Sequence, residues 1–589
     1  MNTNKDTQID EEQLAKMRHS AAHVLAEAVL EMFPEAKYAI GPSIETGFYY
    51  DFDLPRSLTP ADLIILQKRM KKSVKRNVPI TGEQISKNEA KKIFAKQPYK
   101  LELIDDIEGD TVGHFMHAKF EDLCRGGHAA STGQVGSFQL THVAGAYWKG
   151  DEKNPMLQRI YGALFATQEE LESYLTAREE AAARDHRRLG KELDLFFLDP
   201  ISPGSPFFLP GGTYIYNELT DFLRELYVTY GYDEVITPQL FDSKLWKTSG
   251  HYDNFHGDMF LVPIDEQEMG IKPMNCPGHC VLYGHTRHSY RELPIRLAEF
   301  TRLHRNERSG VLHGLTRARS FSQDDAHIYC TPEQLHDEIA KLFDMTKEIY
   351  SVLGLENLTM YVATRGKNFI GNPKDWDVAE QLLMDSVKNA GFKYEVSEAE
   401  AAFYGPKIEM HLKDALNRSW QLGTIQLDQA MPERFNLRYI SNDGSEQQPT
   451  MIHRALLGSL ERFIGIYLEF TAGKLPFWLS PTQLIIIPIT DKHIDYCYEV
   501  QSEYKQSMIN AIVDDGSERM GAKIRNAQIK KIPYMFIVGD QEMESNTVAV
   551  RTRNGDDLGQ IKREDILATL IQLKQTRTIE LIANTSEKQ

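Results

Sequence analysis

Two groups of residues in this 589-residue chain have types and spacings that could do chemistry. The first runs from Met274-Asn275-Cys276-Pro277-Gly278-His279, through Arg305-Asn306-Glu307, Arg317 and Phe321, to Gln323-Asp324-Asp325-Ala326-His327 and Cys330. Arginines in such a cluster suggest an anionic polyphosphate, because a guanidinium fork matches phosphate oxygens and stays charged. Cys276 and His327 are good zinc ligand types, but two ligands are not a site, so distant segments must supply more. The second group is His19 and His23, four apart on one helix face, with Cys124 and His128. From the residues alone this group is open between a zinc quartet and a site that works without metal.

The elements that position these residues follow from periodicity. Leu14, Met17, Ala21, Val24, Leu25, Ala28, Val29 and Met32 predict a helix over 11–32. Aromatic-rich strands are expected over 38–42 and 47–52, in an α/β domain ending near Thr167. Thr167-Gln168-Glu169-Glu170 is a capping box that opens one charged connecting helix, with Gly190 as its stop. A helix over 213–230 and a strand ending at Thr237-Pro238 follow. Strands at 295–300, 320–323, 408–412 and 423–427 are separated by hairpins, which predicts an antiparallel sheet with flanking helices. From Pro481 the expected order is strand 484–487, helices 496–512 and 522–530, strands 534–538 and 547–551, and helix 563–575, a second α/β domain. The fold class is therefore multidomain α+β. Its expected division is a disordered 1–10, then 11–166, a linker at 167–190, 191–478 and 479–589.

Bulk properties exclude several classes. A composition of 41% hydrophobic and 26% charged residues is ordinary globular material. Five scattered cysteines argue for reduced thiols and the cytoplasm, and no apolar run approaches the ~20 residues of a membrane span. The polar N-terminus lacks a signal-peptide core. A net charge of -17 argues against loose nucleic-acid binding but leaves room for a specific RNA. No P-loop motif occurs.

The motifs taken together resemble a known family. Phe300-Thr301-Arg302-Leu303-His304-Arg305-Asn306-Glu307 resembles the second signature motif of class II aminoacyl-tRNA synthetases. Gly458-Ser459-Leu460-Glu461-Arg462-Phe463 resembles the third, and the helix and strand ending at Pro238 the first. The segments at 274–279 and 323–327, Phe403-Tyr404-Gly405-Pro406-Lys407 and Met451-Ile452-His453-Arg454 resemble the threonyl-tRNA synthetase family, in its order. The likeness runs from about Leu14 to the C-terminal helix.

The resemblance implies roles. Arg305 would grip the ATP α-phosphate and the amino-acid carboxylate, Glu307 would read the adenine amino group, and Arg317 would hold the γ-phosphate. Phe321 and Arg462 would sandwich the adenine. Lys407 would meet phosphate charge, and Gln421, Thr424 and Gln426 would lie near the ribose, with Mg2+ accompanying ATP. His453 would join Cys276 and His327 around one zinc per subunit, leaving His279, Cys280 and Cys330 outside the ligand set. Met274, Gln323, Asp325 and Tyr404 would face L-threonine, and His251 would serve transfer to tRNA(Thr). A zinc with open positions would take threonine's amino group and β-hydroxyl. It would refuse valine, a near-isostere that an apolar pocket separates by only ~10²-fold. Serine keeps the hydroxyl, so a second sieve is needed. The family's editing residues match His19, His23, Lys100, Asp122, Cys124 and His128, which it is described as using without metal. Gly126-Gly127 departs from the Gly-Pro expected before the last histidine. In the last domain Glu542 and Arg551 would read anticodon bases, with Lys523, Arg525, Lys530 and Lys531 as a basic patch; Ser517 replaces a common asparagine. A homodimer is expected. His19 lies so near the first residue that the small ubiquitin-like module leading many members is expected to be missing. Two rivals are an ATP-dependent carboxylate ligase without tRNA and a non-catalytic RNA-binding paralogue.

Overall fold

The structure, a computed structural model, describes residues 10–355, 357–367, 369–413, 418–428 and 430–582. The expectation of disorder over 1–10 thus lies outside the described residues except at Asp10, whose carboxylate caps the first helix by accepting the Gln13 N–H at 2.7 Å. The chain forms two compact units, Met1–Glu179 and Glu180–Gln589. Among the described residues no helix is long and apolar enough to cross a membrane.

In the first unit the helix Glu11–Met32 packs on Pro60–Arg76. Ala21, Val24, Leu25, Ala28 and Val29 are fully buried, as the periodicity requires. A five-stranded antiparallel sheet is ordered Lys37–Tyr38, Gly47–Asp53, Met156–Phe165, Ser137–Tyr147, with Ser43–Ile44 beside Gly47–Asp53. A second sheet joins Thr81–Ser86, Thr111–His117 and Phe120–Leu123.

The single connecting helix is corrected to two, Gln168–Arg184 and His186–Glu192. The capping box is present, with reciprocal bonds of 3.1 Å between Thr167 and Glu170. Asp185 interrupts the run, because its side chain accepts the Arg187 N–H and starts a new helix. Gly190 stops nothing. It lies inside the second helix, where a Cβ would meet the Phe196 ring at 2.2 Å.

The second unit is built on a nine-stranded sheet. Its strands run in the order Asp233–Glu234, Ile295–Glu299, Ser320–Cys330, Thr450–Ser459, Ser419–Asp428, Lys407–Lys413, Leu358–Ala363, Tyr394–Ser397, with Arg302–His304 on Ser320–Cys330. Only the two edge pairings are parallel. Helices Pro210–Tyr230, Leu335–Val352, Pro373–Asn389 and Leu460–Thr471 carry core residues against one face. Two strand expectations are corrected. The strand before Pro238 ends at Glu234, after which Val235 makes one last bond to Ala298 O and Thr237 N–H turns to the Glu299 side chain. The strand at 320–323 extends to Cys330, because the buried sheet and its neighbours satisfy the polar Asp324, Asp325 and His327.

The C-terminal part of this unit holds a five-stranded sheet ordered Ala511–Val513, Leu484–Pro488, Tyr534–Val538, Thr547–Thr552, Asp557–Lys562. The helix expected over 496–512 ends at Gln506; Met508 turns at φ 60° and Ala511–Val513 pairs with Leu484–Ile486 instead.

Candidate functional site

Strand alternation assembles the main site. In register, His327 faces His453, Asp325 faces Ala455, Gln426 faces His453, Thr424 faces Ala455, and Lys407 faces Gln426. With a period of two these side chains share one face. Ala326, Ile328, Ile425, Ile408, Ile452 and Leu456 point the other way into the core. The polar face floors a cavity of about 490 Å³. Every residue expected at ATP, threonine and zinc lines it, His251 excepted.

One end of the cavity is rich in metal-ligand types. One ligand atom from each of Cys276, His327 and His453 lies within 4.8 Å of the others. The Nε2 of His327 is 3.0 Å from the Nδ1 of His453. The far nitrogen of His453 bonds the buried Asp428 carboxylate at 2.8 Å. Two imidazoles, one of them backed directly by a carboxylate, beside a buried thiol form a donor set that suits zinc. Burial holds the Cys276 thiol well above its usual range. Asp325 accepts from Asn275 at 3.0 Å and lies 3.8 Å from His327. His251, expected on a loop, begins the short helix His251–Asn254 and is fully buried. Its Nε2 is 3.2 Å from Met274 Sδ and 4.0 Å from Cys276 Sγ, so it stands behind the cavity wall.

The other end is cationic. Gly458 turns at φ 72°, where a Cβ would lie 2.2 Å from Leu422 O, so only glycine fits. Ser459 then caps the helix Leu460–Thr471 by accepting the Arg462 N–H, which presents Arg462 in the first turn. Burial, and then the charge of Arg317, depress the Arg462 pKa. Its buried Nε has no hydrogen-bond partner among the described residues. Arg317 pairs with Glu307 at 3.0 Å. Such an arginine group favours an anion. Phe321 and Arg462 both line the cavity, but here Arg305 stacks on Phe321 at 5.1 Å, and Arg462 lies 5.8 Å from Trp420. Gln421 bonds Thr424, Gln426 bonds Gly405 O, and Lys407 pairs with Glu409 at 2.7 Å.

Several residues on which this geometry depends escaped the sequence reading. Asp324, at a bulge in its strand, accepts the N–H groups of Leu456, Leu457 and Gly458. Glu461 accepts Ser322 N–H and pairs with Arg302. His186 receives the Leu315 N–H at 3.1 Å and bonds Glu469 at 2.7 Å. Asp428, Glu299 and Lys272 are ordinary acidic and basic residues until their burial is known.

The first unit brings the other six residues together. Asp122, 2% exposed, accepts from Tyr50 at 2.6 Å, lies 3.2 Å from His23 and pairs with Lys100. Cys124 Sγ is 3.0 Å from His128 Nε2, and the His19 and His128 rings lie 4.1 Å apart. Burial lowers the pKa of His19 and of His23, and with the charges of His19 and His117 takes that of His128 to about 3. Burial lifts the Cys124 thiol to about 12. One ligand atom from each of His19, His23, Cys124 and His128 falls within 4.8 Å of the others, so the quartet is close enough to hold a metal as well. Tyr50 and Ser20 were missed; Ser20 Oγ accepts the Ala129 N–H and ties the helix to the histidine loop.

The residues singled out in the C-terminal part have partners within the fold. Glu542 is 8% exposed, and its carboxylate is taken by the Gly539 N–H and by Gln560. Arg551 pairs with Asp557 on the surface. Of the expected basic patch, Lys523 is buried on Asp514 O and so leaves the surface, while Lys530 stays exposed in an ion pair with Asp194 at 2.6 Å.

Comparison with known proteins accounts for the architecture. The tRNA synthetase class II core domain (G, H, P, S and T) matches residues 260–471, an anticodon binding domain matches 483–573, and the threonyl and alanyl tRNA synthetase second additional domain matches 107–161. The threonine–tRNA ligase of Thermotoga neapolitana is 49% identical over 568 residues, 96% of this chain and 89% of that protein. That of Bdellovibrio bacteriovorus is 46% identical over 575 residues, 97% and 88% of the two chains. The structure of the RNA binding domain of threonyl-tRNA synthetase from Cryptosporidium parvum superposes with a TM-score of 0.63 at 43% identity, covering 67% of this chain and 99% of that one. With core, anticodon-binding and second additional domains in one chain, this protein belongs to the threonyl-tRNA synthetase family of class II aminoacyl-tRNA ligases.

Proposed function

We propose that the 490 Å³ cavity is where threonine and ATP react and where threonine passes to tRNA(Thr). The observation that carries this reading is the convergence, in one cavity, of the Cys276, His327 and His453 donor set with Arg305, Arg317 and Arg462. When bound, zinc would supply a Lewis-acid centre with free positions for threonine's amino group and β-hydroxyl. Asp325 accepts the hydroxyl proton's hydrogen bond. Arg305 orients the threonine carboxylate against the α-phosphate and offsets charge as the mixed anhydride forms. Arg317 and Lys407 neutralise the remaining phosphates together with Mg2+. Phe321 and Arg462 hold the adenine once Arg305 leaves the Phe321 ring for phosphate. The buried Trp246 and His251 support the half-buried Met274 in the wall facing the amino acid.

The test is ATP–pyrophosphate exchange with threonine, valine and serine, before and after zinc chelation. Exchange dependent on threonine and abolished by chelation is expected; exchange indifferent to threonine, or to complete zinc removal, refutes the corresponding part.

The site in the first unit hydrolyses seryl-tRNA(Thr) in this reading. Neutral His19, His23 and His128 position and deprotonate water, Lys100 and Asp122 form a buried pair that orients them, and Cys124 works as a thiol rather than a thiolate. Seryl-tRNA hydrolysis persists in chelator and falls on His23→Ala or Cys124→Ala. Hydrolysis lost on chelation would instead identify the quartet as a metal site. A homodimer fits the strongly exposed Val228 and Ile236 on the segment resembling the first motif, and light scattering tests it. Arg551 and Glu542 read the anticodon only if Glu542 exchanges its present partners for a base. The reduced cysteines suit the cytoplasm.

A further inference from the structure

Behind the donor set lies a wholly buried polar network. Lys272, His279 and Glu299 are 0% exposed and His327 is 1% exposed. The Nδ1 of His327 is 2.8 Å from the Nδ1 of His279, and the Nε2 of His279 is 3.0 Å from Glu299 Oε2. Glu299 also receives Lys272 Nζ at 2.8 Å, the Thr237 N–H at 2.8 Å, the Thr237 hydroxyl at 2.9 Å and the Thr301 hydroxyl.

We propose that His279 is the positioning residue for the metal-facing nitrogen of His327, with the Lys272–Glu299 pair as its anchor. This rests on the zinc reading above. The protons of the network have one consistent assignment. To offer Nε2 as a lone pair, His327 must carry its proton on Nδ1. That proton can go only to His279 Nδ1, so His279 must accept there and hold its own proton on Nε2. Glu299 receives that proton's hydrogen bond as a carboxylate, and five donors converge to keep it one. His453 is set in the same sense by Asp428, which is itself fixed by the N–H groups of Ala430 and Met431. One ligand is thus oriented by a carboxylate directly and the other through an interposed imidazole. Stability alone does not explain the network, since an apolar cluster of equal volume holds a core at least as well as a buried ion pair. What an apolar cluster cannot do is choose the tautomer of His327.

His279→Phe keeps a ring in the space but can neither accept from His327 nor donate to Glu299. His279→Gln keeps both, through its carbonyl oxygen and its amide. The affinity of the full chain for zinc alone is measured by competition with a chromophoric chelator, with thermal unfolding of the zinc-free proteins alongside. Zinc binding about 10–100-fold weaker is expected for His279→Phe, with His279→Gln within about threefold of the parent. The ratio of threonine-dependent to valine-dependent pyrophosphate exchange falls in the same order. If His279→Phe does not fold, His279→Asn, polar but too short to span both partners, takes its place and is expected to lose zinc affinity likewise. Parental affinity in the variant that cannot span the gap overturns the proposal. So does equal weakening by His279→Gln, which would reduce the residue to a packing role. A parent chain that binds no zinc at all refutes the zinc reading itself, a result separate from either.

Discussion

Replacing Asp324 by alanine tests how the arginine end of the cavity is held in place. Oδ1 accepts the N–H groups of Leu457 at 3.0 Å and Gly458 at 2.9 Å; Oδ2 accepts Leu456 N–H at 2.8 Å and faces Arg454 Nη1 at 3.4 Å. All of this is buried. Three orphaned N–H groups cost roughly 1–3 kcal/mol each. Stripping a buried arginine of its carboxylate costs about 3–5 kcal/mol. The Tyr227 and Tyr232 rings, 4.8 and 4.5 Å from the Arg454 guanidinium, return part of that. The lower ends of both ranges together still give about 6 kcal/mol, as large as the stability of many whole domains. Asparagine does not rescue, because its amide must point at one of the N–H donors. A single melting temperature is ill-defined for a chain with several domains, so hydrogen exchange is the better assay. Protection of peptides covering 450–463 should fall by about 10⁴-fold in the alanine variant, while peptides from the first unit stay unchanged. The KM for ATP should rise, because Gly458 and Arg462 lose their anchor. A folded variant whose 450–463 protection stays within tenfold of the parent's would refute the reasoning.

Three further outcomes follow. His186→Ala orphans the Leu315 N–H and frees the tight turn His313–Arg317, where a Cβ on Gly314 would lie 2.2 Å from His186 Nε2. The KM for ATP should rise about tenfold with that for threonine unmoved, and parallel changes in both would show a merely global defect. Because burial holds the Cys124 thiol up at about 12, iodoacetamide at pH 8 should label it about 10³-fold more slowly than an ordinary thiol of pKa ~8.5. Mass spectrometry showing labelling as fast as glutathione contradicts this. Burial pushes Glu299 up, but hydrogen bonds from His279, Lys272 and Thr237 outweigh it and hold its pKa at about 2. That is below the unfolded value of ~4.3, so its contribution, roughly 3 kcal/mol, is complete above that value and is lost as the pH falls towards 2. In chelated protein Glu299→Gln should lower stability near neutrality and flatten the acid limb in that window; an unchanged limb rules the contribution out.

Much of the site was legible because its residue types are chemically unusual for their places. Cys276, His327, His453, Arg305 and Arg462 each fall inside a short segment that resembles a family motif, and the order of those segments gathered them. What was not legible is what depends on burial. His279 looked like a surplus histidine beside Cys276, and only the distance to His327 gives it work. Lys523 looked like a phosphate contact, and only its burial on the Asp514 carbonyl removes it from the patch. Asp185 broke a helix that its neighbours' propensities would have continued, and 511–513 left a helical pattern for a sheet, as strand partners far away in sequence decide such segments.

The order of the central sheet bears on biosynthesis. Thr450–Ser459 lies between Ser320–Cys330 and Ser419–Asp428 and bonds to both, yet it is the last of the nine strands in the chain. A nascent polypeptide therefore makes two half-sheets that have no common border until its keystone strand emerges from the ribosome. Until then each half presents an unpaired edge, the condition under which strands find wrong partners. The strand that joins the halves also carries His453 and leads into Arg462, so the two ends of the cavity are finished in the same event. A chain stalled before residue 450 has neither, and quality control meets it as open sheet rather than as a slow enzyme.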